Sequence, residues 1–336
     1  MTTIEDVARE AGVSVASVSR VISGTRSVRP KTKNAVLEAA EKLGYQKNYF
    51  ASALRRRSTN TVGMVVPHIA NPFFIELVEK IENVIQADGF DLFLCDSRND
   101  PAVEARRVRA LIARQVDGIV LICADEMRSR ESILAVENKI PIVTLDRSIK
   151  DIALDRIAVD NGLGIRMIVD HLASRGNRRM TFVGAEEGIS TAQARLEAYQ
   201  AAVAAIGGEG GGDIMLGSYS VDWGWEAGLN IADRSYLPDA VVCANDLIAV
   251  GVIRCLLSRG IRVPDDIAVT GFDDIALCRY VDPGITTVRQ PIDLMAREAA
   301  SILLSRIAGT HNAVVNLLVG PEIVIRQSSC NVTKVS

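Results

Sequence analysis

The sequence predicts an α/β protein in which a small helical unit at the N-terminus precedes two lobes built on doubly wound parallel sheets. Two patterns indicate this fold class. The first two dozen residues have the apolar spacing of two short helices joined by a tight turn, whereas from Thr61 onward short apolar, β-branched runs alternate with helical segments. A chain of 336 residues is also too long for one small domain and can bury large cores.

The N-terminal pattern is that of a helix-turn-helix. Thr3 and Ser14 each precede a helical run, where an N-cap is expected, and Asp6 stands where it would complete a capping box with Thr3. Gly12 permits the positive φ that a three-residue turn needs. Such a unit presents its second helix outward, which is the geometry used to enter the major groove of DNA.

A third helix is expected from about Lys31 to Leu43, after Pro30 and before Gly44. The following segment, residues 48–57, has helical composition but is only about two turns long, and an isolated helix of that length is marginal in water. The spacing alone leaves two interpretations open: a linker that becomes ordered when something binds it, or a solvated basic linker.

Charge is divided unevenly along the chain. Residues 1–60 contain 11 Lys and Arg against 5 Asp and Glu, a net of +6, while the other 276 residues contain 27 against 36, a net of −9. The basic charge is therefore concentrated in the segment with the helix-turn-helix pattern, and double-stranded DNA is the predicted partner of that segment.

The rest of the chain predicts parallel strands separated by helices. The apolar, β-branched runs lie at 62–66, 92–95, 118–123, 142–145, 157–159, 180–183, 214–216, 240–243 and 267–269. Roughly ten strands suit two lobes better than one sheet. Ligands of such folds bind outside the carboxyl ends of the strands, so polar residues at those ends are the site candidates.

These strand ends carry carboxylates, amides, guanidinium groups and aromatic rings. The candidates are Asn71, Phe73, Phe74, Asp146, Arg147, Arg195, Tyr219, Asn245, Asp273 and Gln290. Charged and amide groups form directional hydrogen bonds to hydroxyls, and aromatic rings cover the C–H faces of a sugar. Each residue alone has an ordinary explanation as a cap, a surface pair or a turn. Together they predict a site for a neutral polyol.

Other features argue against several protein classes. The six cysteines are scattered without Cys-x-x-Cys spacing and are interpreted as buried, reduced core thiols, and the three histidines do not cluster, so neither a metal nor a cofactor is predicted. No apolar run approaches the length of a membrane span, and the N-terminus has no apolar signal region, which predicts a cytoplasmic protein with no membrane partner. The glycine-rich run at 207–212 follows a helix and is interpreted as a loop, not a phosphate cradle.

Two other functions remain as alternatives: a sugar-binding protein of the transport type, and an α/β enzyme that acts on sugars. The basic helix-turn-helix argues against the first. For the second, Asp146 and Asp273 would have to act as an acid and a base, but neighbouring arginines are expected to keep both carboxylates ionised, which suits a general acid poorly.

Many short motifs, in order along nearly the whole chain, resemble the lactose repressor/galactose repressor family of bacterial transcription factors. They are Thr3-Ile-Glu-Asp-Val-Ala, Ala11-Gly-Val-Ser, Val18-Ser-Arg-Val, Gly44-Tyr45, Asn71-Pro-Phe-Phe, Val159-Asp-Asn161, Asn245-Asp246, Val263-Pro-Asp-Asp-Ile-Ala, Gly271-Phe-Asp-Asp274 and Thr286-Thr-Val-Arg-Gln290. The resemblance implies a DNA-binding domain at 1–46, a hinge helix or linker at 47–60 and an effector-binding and dimerisation domain at 61–336. In that last domain, one lobe would comprise about 61–160 and 291–320, and the other about 161–290 and 321–330.

The resemblance also implies roles for residues of the N-terminal region. Val15, Ala16 and Arg20 would read bases, while Thr3, Ser14, Ser19 and Arg26 would contact the backbone or groove edge, and Asn48, Ala51 and Leu54 would belong to the hinge helix. In the family this helix folds on DNA, and its leucine, matched by Leu54, wedges into the minor groove. The family usually has Pro before that Asn, whereas this chain has Lys47, so the entry into the hinge differs.

The second domain resembles periplasmic sugar-binding proteins, most closely the ribose-binding type. The ten strand-end candidates fall on positions that this type uses, with Tyr219 in place of a Phe. The resemblance therefore implies a homodimer that binds a pseudopalindromic operator and responds to a ribose-like monosaccharide. It leaves open whether the sugar releases or promotes DNA binding. Release is the expectation for a catabolic operon.

Overall fold

The computed structural model describes residues 2–23, 28–45, 58–137, 139–185, 188–207 and 213–330. They fall into two compact units, the first within residues 1–59 and the second within residues 60–336. Of the predicted DNA-contacting residues, Arg26, Asn48, Ala51 and Leu54 lie outside the described residues.

The first unit contains three helices: α1 (Ile4–Glu10), α2 (Val15–Ser23) and α3 (Pro30–Lys42). The predicted capping box is present, since the Thr3 hydroxyl accepts from the Asp6 N–H and the Asp6 carboxylate accepts from the Thr3 N–H. Gly12 has the predicted positive φ of 64°, and the Ser14 hydroxyl accepts from the Ser17 N–H at the start of α2.

The core of this unit is small. Each helix contributes one fully buried valine to a single apolar cluster: Val7, Val18 and Val36. Pro30 occupies the first turn of α3, where its missing N–H costs nothing. This packing commits one face of α2 to the core and leaves the opposite face at the surface.

The second unit contains a six-stranded, fully parallel sheet with the order β11-β5-β4-β3-β1-β2. Its strands are β1 (Thr61–Val66), β2 (Asp91–Asp96), β3 (Gly118–Leu121), β4 (Ile142–Leu145), β5 (Asp155–Val159) and β11 (Asn316–Val319). The helices of this lobe are α4 (Pro72–Ala87), α5 (Pro101–Ala113), α6 (Arg130–Leu134) and α11 (Ile292–Ile307).

A second parallel sheet has four strands in the order β7-β6-β8-β9. These are β6 (Met180–Ala185), β7 (Ile214–Gly217), β8 (Ala240–Cys243) and β9 (Ala268–Thr270). The helices of this lobe are α7 (Asn161–Ser174), α8 (Ser190–Ala205), α9 (Val221–Ala232) and α10 (Asp246–Ser258), and a 3₁₀ turn follows at Ala276–Arg279.

The chain passes between the two lobes in three crossover segments. The first, residues 159–161, joins β5 to α7; the second contains β10 (Thr287–Arg289) and leads to α11; the third, residues 319–326, contains β12 (Glu322–Val324). β10 and β12 pair with each other in an antiparallel ribbon. A second 3₁₀ turn, Gln327–Ser329, follows the third crossover.

Every strand that the sequence predicts is present, and no end differs from the prediction by more than two residues. The sequence prediction missed β10, β11 and β12, which are three or four residues long and include polar, exposed positions. Five of the cysteines are buried as predicted, but Cys95 on the edge strand β2 is only half-buried, so the prediction for that residue is wrong.

No helix among the described residues is long and apolar enough to cross a membrane. Within the same residues, no cluster of His, Cys, Asp and Glu side chains has the arrangement of a metal site.

Helices α9 and α10 cross at glycines. A methyl group on Gly251 would overlap the carbonyl oxygen of Val221 and lie 2.6 Å from the backbone nitrogen of Trp225. We expect Gly251→Ala to lower the free energy of unfolding by about 1–3 kcal/mol, because backbone atoms cannot move aside as a side chain can. Denaturant unfolding measures this, with Gly320→Ala as control, since Gly320 has open space around it. Equal stability of the two variants would contradict the close crossing.

Candidate functional site

The first unit presents part of α2 to the surface. Val15, Ala16 and Arg20 are exposed, as are Ser14 and Thr3 at the preceding caps. Val15 is 41% exposed, although it is an apolar residue in a unit with a small core. Ser19 is half-buried and lies beside this face, while Val18 points into the core. The predicted base-reading residues therefore share one accessible surface of a helix whose other side is fixed by packing.

The second unit contains a cavity of about 160 Å³ between the two lobes. All ten strand-end residues that the sequence singles out line it. Their role as ligand contacts stays a prediction, but the structure brings them together around one space. In the first lobe they follow β1 and β4, with Phe73 and Phe74 in the first turn of α4. In the second lobe they lie at strand ends or in the first two turns of a helix, and Gln290 follows β10 in the second crossover.

Five further residues line the cavity and were missed by the sequence reasoning: His68, Asn99, Thr191, Ser218 and Ser220. Some of them could have been predicted, because they also follow the carboxyl ends of strands. Asn99 follows β2, and the two serines flank Tyr219 after β7. Thr191 is less visible, because it lies within the first turn of α8 and resembles an ordinary helix-start residue.

Two asparagines serve both the fold and the cavity. The Asn71 side-chain oxygen accepts from the Phe73 N–H at 3.1 Å, and that of Asn245 accepts from the Ile248 N–H at 3.0 Å, so each caps a helix. Because capping uses the oxygen, the amide nitrogen remains as the group that can donate to a ligand.

Arg195 is held rigidly at the cavity wall. Its Nε donates to Asn161 Oδ1 at 2.7 Å and its Nη1 to the Ala244 carbonyl at 2.6 Å, while Nη2 lies 3.5 Å from Asp273 Oδ1. The guanidinium also stacks on the Phe272 ring, 3.7 Å from its centroid. These contacts orient the guanidinium before any ligand arrives, which lowers the ordering cost of binding.

Arg147 occupies the first-lobe side of the cavity. Its Nη1 donates to Asn99 Oδ1 at 3.0 Å and to the Cys123 carbonyl at 3.2 Å. The guanidinium carbon lies 5.6 Å from the centroid of the Phe74 ring, which packs edge-on against Phe73. The Arg147 guanidinium and the Phe74 ring therefore lie next to each other at the cavity wall.

Several buried polar atoms at the cavity have no hydrogen-bond partner within the described part of the chain. They include Asp146 Oδ1, Arg147 Nε and Gln290 Oε1. Buried polar atoms in folded proteins are nearly always paired, and an unpaired one is costly. Residues that line the cavity therefore carry buried polar atoms whose hydrogen bonds a ligand can complete.

The expectation that neighbouring arginines keep both Asp146 and Asp273 ionised does not hold for Asp273. Burial raises the pKa of Asp273 to about 7, and the guanidinium of Arg195 and the Gln290 amide offset only part of that rise. Burial likewise raises the pKa of Asp146 despite three arginines nearby. The sequence showed the arginines but not the depth of burial, and desolvation outweighs the nearby positive charges here.

This burial makes the stability of the ligand-free protein depend on pH. The Asp273 pKa rises from 3.8 to about 7 on folding, so between roughly pH 4 and pH 7 the folded state binds more protons than the unfolded state. The free energy of unfolding therefore falls as the pH rises through that window. We expect the Tm of the wild type to fall between about pH 5 and pH 8 more steeply than that of Asp273→Asn. The surface variant Asp233→Asn should keep the wild-type slope; three identical slopes would contradict the prediction.

Each of the two units contains a segment that matches a known family model. Residues 3–48 match the family model of bacterial regulatory proteins, lacI family, and residues 169–329 match the periplasmic binding protein-like domain. The HTH-type transcriptional repressor PurR of Histophilus somni is 31% identical over 331 residues, which cover 98% of this chain and 99% of the relative.

The chain belongs to the lacI family of bacterial regulatory proteins. The relationship covers both units, so the resemblance seen in the sequence and the predicted fold class are confirmed. The PurR relatives that match over nearly the full length are HTH-type transcriptional repressors. The enzyme and the transport-type protein are therefore set aside.

Two solved structures of similar proteins contain a sugar. A transcriptional regulator CelR–cellobiose complex is 32% identical with a TM-score of 0.74, and the match covers 98% of this chain and 100% of that one. A periplasmic binding protein/LacI transcriptional regulator from Alkaliphilus metalliredigens, complexed with D-xylulofuranose, is 26% identical with a TM-score of 0.71. That match covers 80% of this chain and 98% of the other.

Proposed function

We propose that this family member represses a sugar-utilisation operon in the cytoplasm and that a small, neutral, pentose-like monosaccharide controls its operator binding. The proposal is supported by the cavity between the two lobes. Its lining combines buried donors and acceptors that have no partner among the described residues with the aromatic rings of Phe73, Phe74 and Tyr219. Hydroxyl groups in several directions and apolar C–H faces between them would satisfy that arrangement.

The size of the cavity supports a single sugar ring. Pockets for drug-sized ligands measure about 300–1,000 Å³, whereas this one measures about 160 Å³. A disaccharide such as the cellobiose of the CelR complex would need more room, and the D-xylulofuranose of the second relative is closer in size.

The charge of the cavity supports a neutral sugar. Two carboxyl groups, those of Asp146 and Asp273, stand beside the guanidinium groups of Arg147 and Arg195. Arg195 is paired with Asp273. A sugar phosphate would bring negative charge next to these carboxyl groups, and the described residues that line the cavity include no further lysine or arginine to offset it.

At the DNA, the exposed face of α2 would lie in the major groove. Arg20 has the geometry to donate to O6 and N7 of a guanine, and the exposed apolar groups of Val15 and Ala16 suit a thymine methyl. Ser14, Ser19, Thr3 and Arg26 would contact the DNA backbone or the groove edge. Asn48, Ala51 and Leu54 would form the hinge helix at the operator centre.

Coupling between the two sites would follow from lobe closure. A sugar that contacts both lobes favours the closed arrangement, and closure changes how the first lobes of two subunits meet. The hinge helices then lose their mutual packing, so the sugar acts as an inducer. We propose three domains or segments: the DNA-binding domain at 1–46, the hinge helix or linker at 47–60 and the effector-binding and dimerisation domain at 61–336.

A homodimer would use the free edge of the first lobe. β2 is an edge strand, and its Phe93 and Leu94 are 46% and 36% exposed. An unpaired strand edge with exposed apolar side chains is suited to pairing with a second subunit. We expect Phe93→Lys to shift the protein toward monomer in sedimentation equilibrium. Leu318→Lys, at a similarly exposed position on the opposite edge strand β11, is the control. If neither variant or only the control dissociates the protein, this interface is wrong.

Titration calorimetry of the purified protein tests the effector proposal. The panel comprises D-ribose and other pentoses, hexoses, cellobiose, ribose 5-phosphate and a free nucleobase. The expected result is saturable binding of one pentose or close relative, and weaker or no binding of the disaccharide and the phosphate. Preferential binding of a nucleobase or of the phosphorylated sugar would overturn the proposal.

A further inference from the structure

The cavity residue Asp273 is followed by a second aspartate that faces away from the cavity. Asp273 and Asp274 have φ values of 117° and 56°, which non-glycine residues rarely adopt, and here two such residues are consecutive. Asp274 does not line the cavity, yet its side chain is only 1% exposed. A strained pair of this kind persists only when surrounding contacts hold it.

Asp274 is held by ion pairs with three arginines. Arg326 Nη2 donates to Asp274 Oδ1 at 2.6 Å, and Arg289 Nε donates to Asp274 Oδ2 at 2.7 Å. Arg279 Nη2 lies further away, 3.9 Å from Oδ2. Charge-assisted bonds of this length on both carboxylate oxygens fix the side chain and, through it, the backbone of the preceding residue.

The two closer arginines lie on crossover segments. Arg289 ends β10 in the second crossover, and Arg326 lies at the end of the third. Asp273 is tied to the same place, because its N–H donates to the Val288 carbonyl at 2.8 Å. Arg195, the ion-pair partner of Asp273, contacts Asn161 at the first crossover. The Arg195–Asp273 pair is thus bonded, directly or through Asp274, to all three segments that join the lobes.

We propose that Asp274, with Arg289 and Arg326, is a positioning clamp: it holds the Asp273 carboxyl group in the effector cavity and links effector binding to the crossover segments. This inference rests on the proposed function, because it assigns the clamp a role in sugar binding. Asp274 does not itself contact the ligand; it acts by holding Asp273 in position.

A buried Asp–Arg pair can also be purely structural, and the chain offers a matched control. Asp155 is 3% exposed and receives Arg306 Nε and Nη2 at 2.7 and 2.9 Å, in the first lobe and away from the cavity lining. Asp155→Asn should lower stability as Asp274→Asn does, because each leaves a partly buried arginine without its carboxylate. Only Asp274→Asn should also alter the effector site.

The test compares the two variants in the full-length protein with two readouts. Hydrogen exchange of the ligand-free protein reports on the amides of residues 273–275, and calorimetry measures affinity for the sugar that the wild type binds. For Asp274→Asn we expect exchange at these amides to increase and sugar affinity to fall, each by about tenfold or more. For Asp155→Asn we expect both to stay within about twofold of wild type.

Wild-type exchange at residues 273–275 in Asp274→Asn, or an equal change in both variants, would overturn the clamp. Wild-type sugar affinity in Asp274→Asn would overturn it as well. If the wild type binds no sugar, the proposed function fails, while the exchange readout still decides whether Asp274 holds Asp273.

Arg289→Met provides the test if Asp274→Asn does not fold, because Arg289 is 44% exposed and its loss is milder. Its control is Arg259→Met, since Arg259 is 46% exposed and pairs with Asp233 on the surface of the same lobe. Arg289→Met should weaken sugar binding at least about threefold and Arg259→Met should not. Equal sugar affinities of these two variants would contradict the clamp.

Discussion

Arg195→Ala is expected to abolish the response of DNA binding to sugar while leaving DNA affinity without sugar at the wild-type level. The guanidinium is buried, and its three nitrogens contact Asn161, the Ala244 carbonyl and Asp273 at the second-lobe wall of the cavity. Its removal takes away a preoriented donor and leaves the Asp273 carboxyl group without its cation. Truncating one member of a buried charged pair at a binding site costs about 2–5 kcal/mol of affinity. Calorimetry with the sugar and fluorescence anisotropy with labelled DNA measure the two effects separately.

Arg234→Ala is the control for this prediction. Arg234 lies in the same lobe and forms a close ion pair with Asp213, but neither residue lines the effector cavity. The control should lose some stability and keep its sugar response. Wild-type sugar affinity in Arg195→Ala would show that the effector binds elsewhere.

Arg20→Ala is expected to reduce discrimination between operator and unrelated DNA by about 1–3 kcal/mol, with unchanged sugar affinity. Arg20 lies on the exposed face of α2, one helical turn from Ala16 and beside the half-buried Ser19. A bidentate contact to a guanine contributes to specificity, whereas a phosphate contact contributes equally to all sequences. Anisotropy titrations against a selected operator and a scrambled duplex, at one fixed salt concentration, give the discrimination directly.

Lys33→Ala is the matched control, because it removes the same charge from an exposed position on α3 in the same unit. It should weaken binding to both duplexes by a similar factor and leave their ratio unchanged. If Arg20→Ala also lowers both affinities equally, Arg20 contacts phosphate and does not read a base.

The local parts of this structure were predictable from the sequence because their causes are local. The capping box of Thr3 and Asp6 and the positive φ of Gly12 depend on residues three or four positions apart. Buried parallel strands such as β4 and β8 are continuous apolar runs and were found for the same reason. The short ribbon of β10 and β12 pairs residues more than thirty positions apart, and nothing in either segment alone indicates it.

The candidate site likewise has features that the sequence predicts and features that only the folded chain shows. The ten cavity residues were found because parallel strands bring their carboxyl ends to one edge of a sheet. Thr191 was missed, since a threonine in the first turn of a helix is ordinary. The raised pKa of Asp273 was missed because it depends on burial between two lobes. The bond from Arg326 to Asp274 spans 52 residues and required the folded chain.

Coupling between the cavity and the DNA-contacting helix is measured by the DNA affinity of the protein with and without the effector. Labelled operator DNA, selected from a random pool by the protein itself, is titrated with the wild-type protein in the absence of sugar and at a saturating concentration of the sugar found by calorimetry. We expect the Kd of the wild type to change by about 5- to 150-fold, the range of typical coupling free energies, and that of Arg195→Ala not to change. An identical Kd with and without bound sugar would show that the cavity and the DNA-contacting helix are not coupled, and would contradict the proposal that a sugar controls operator binding.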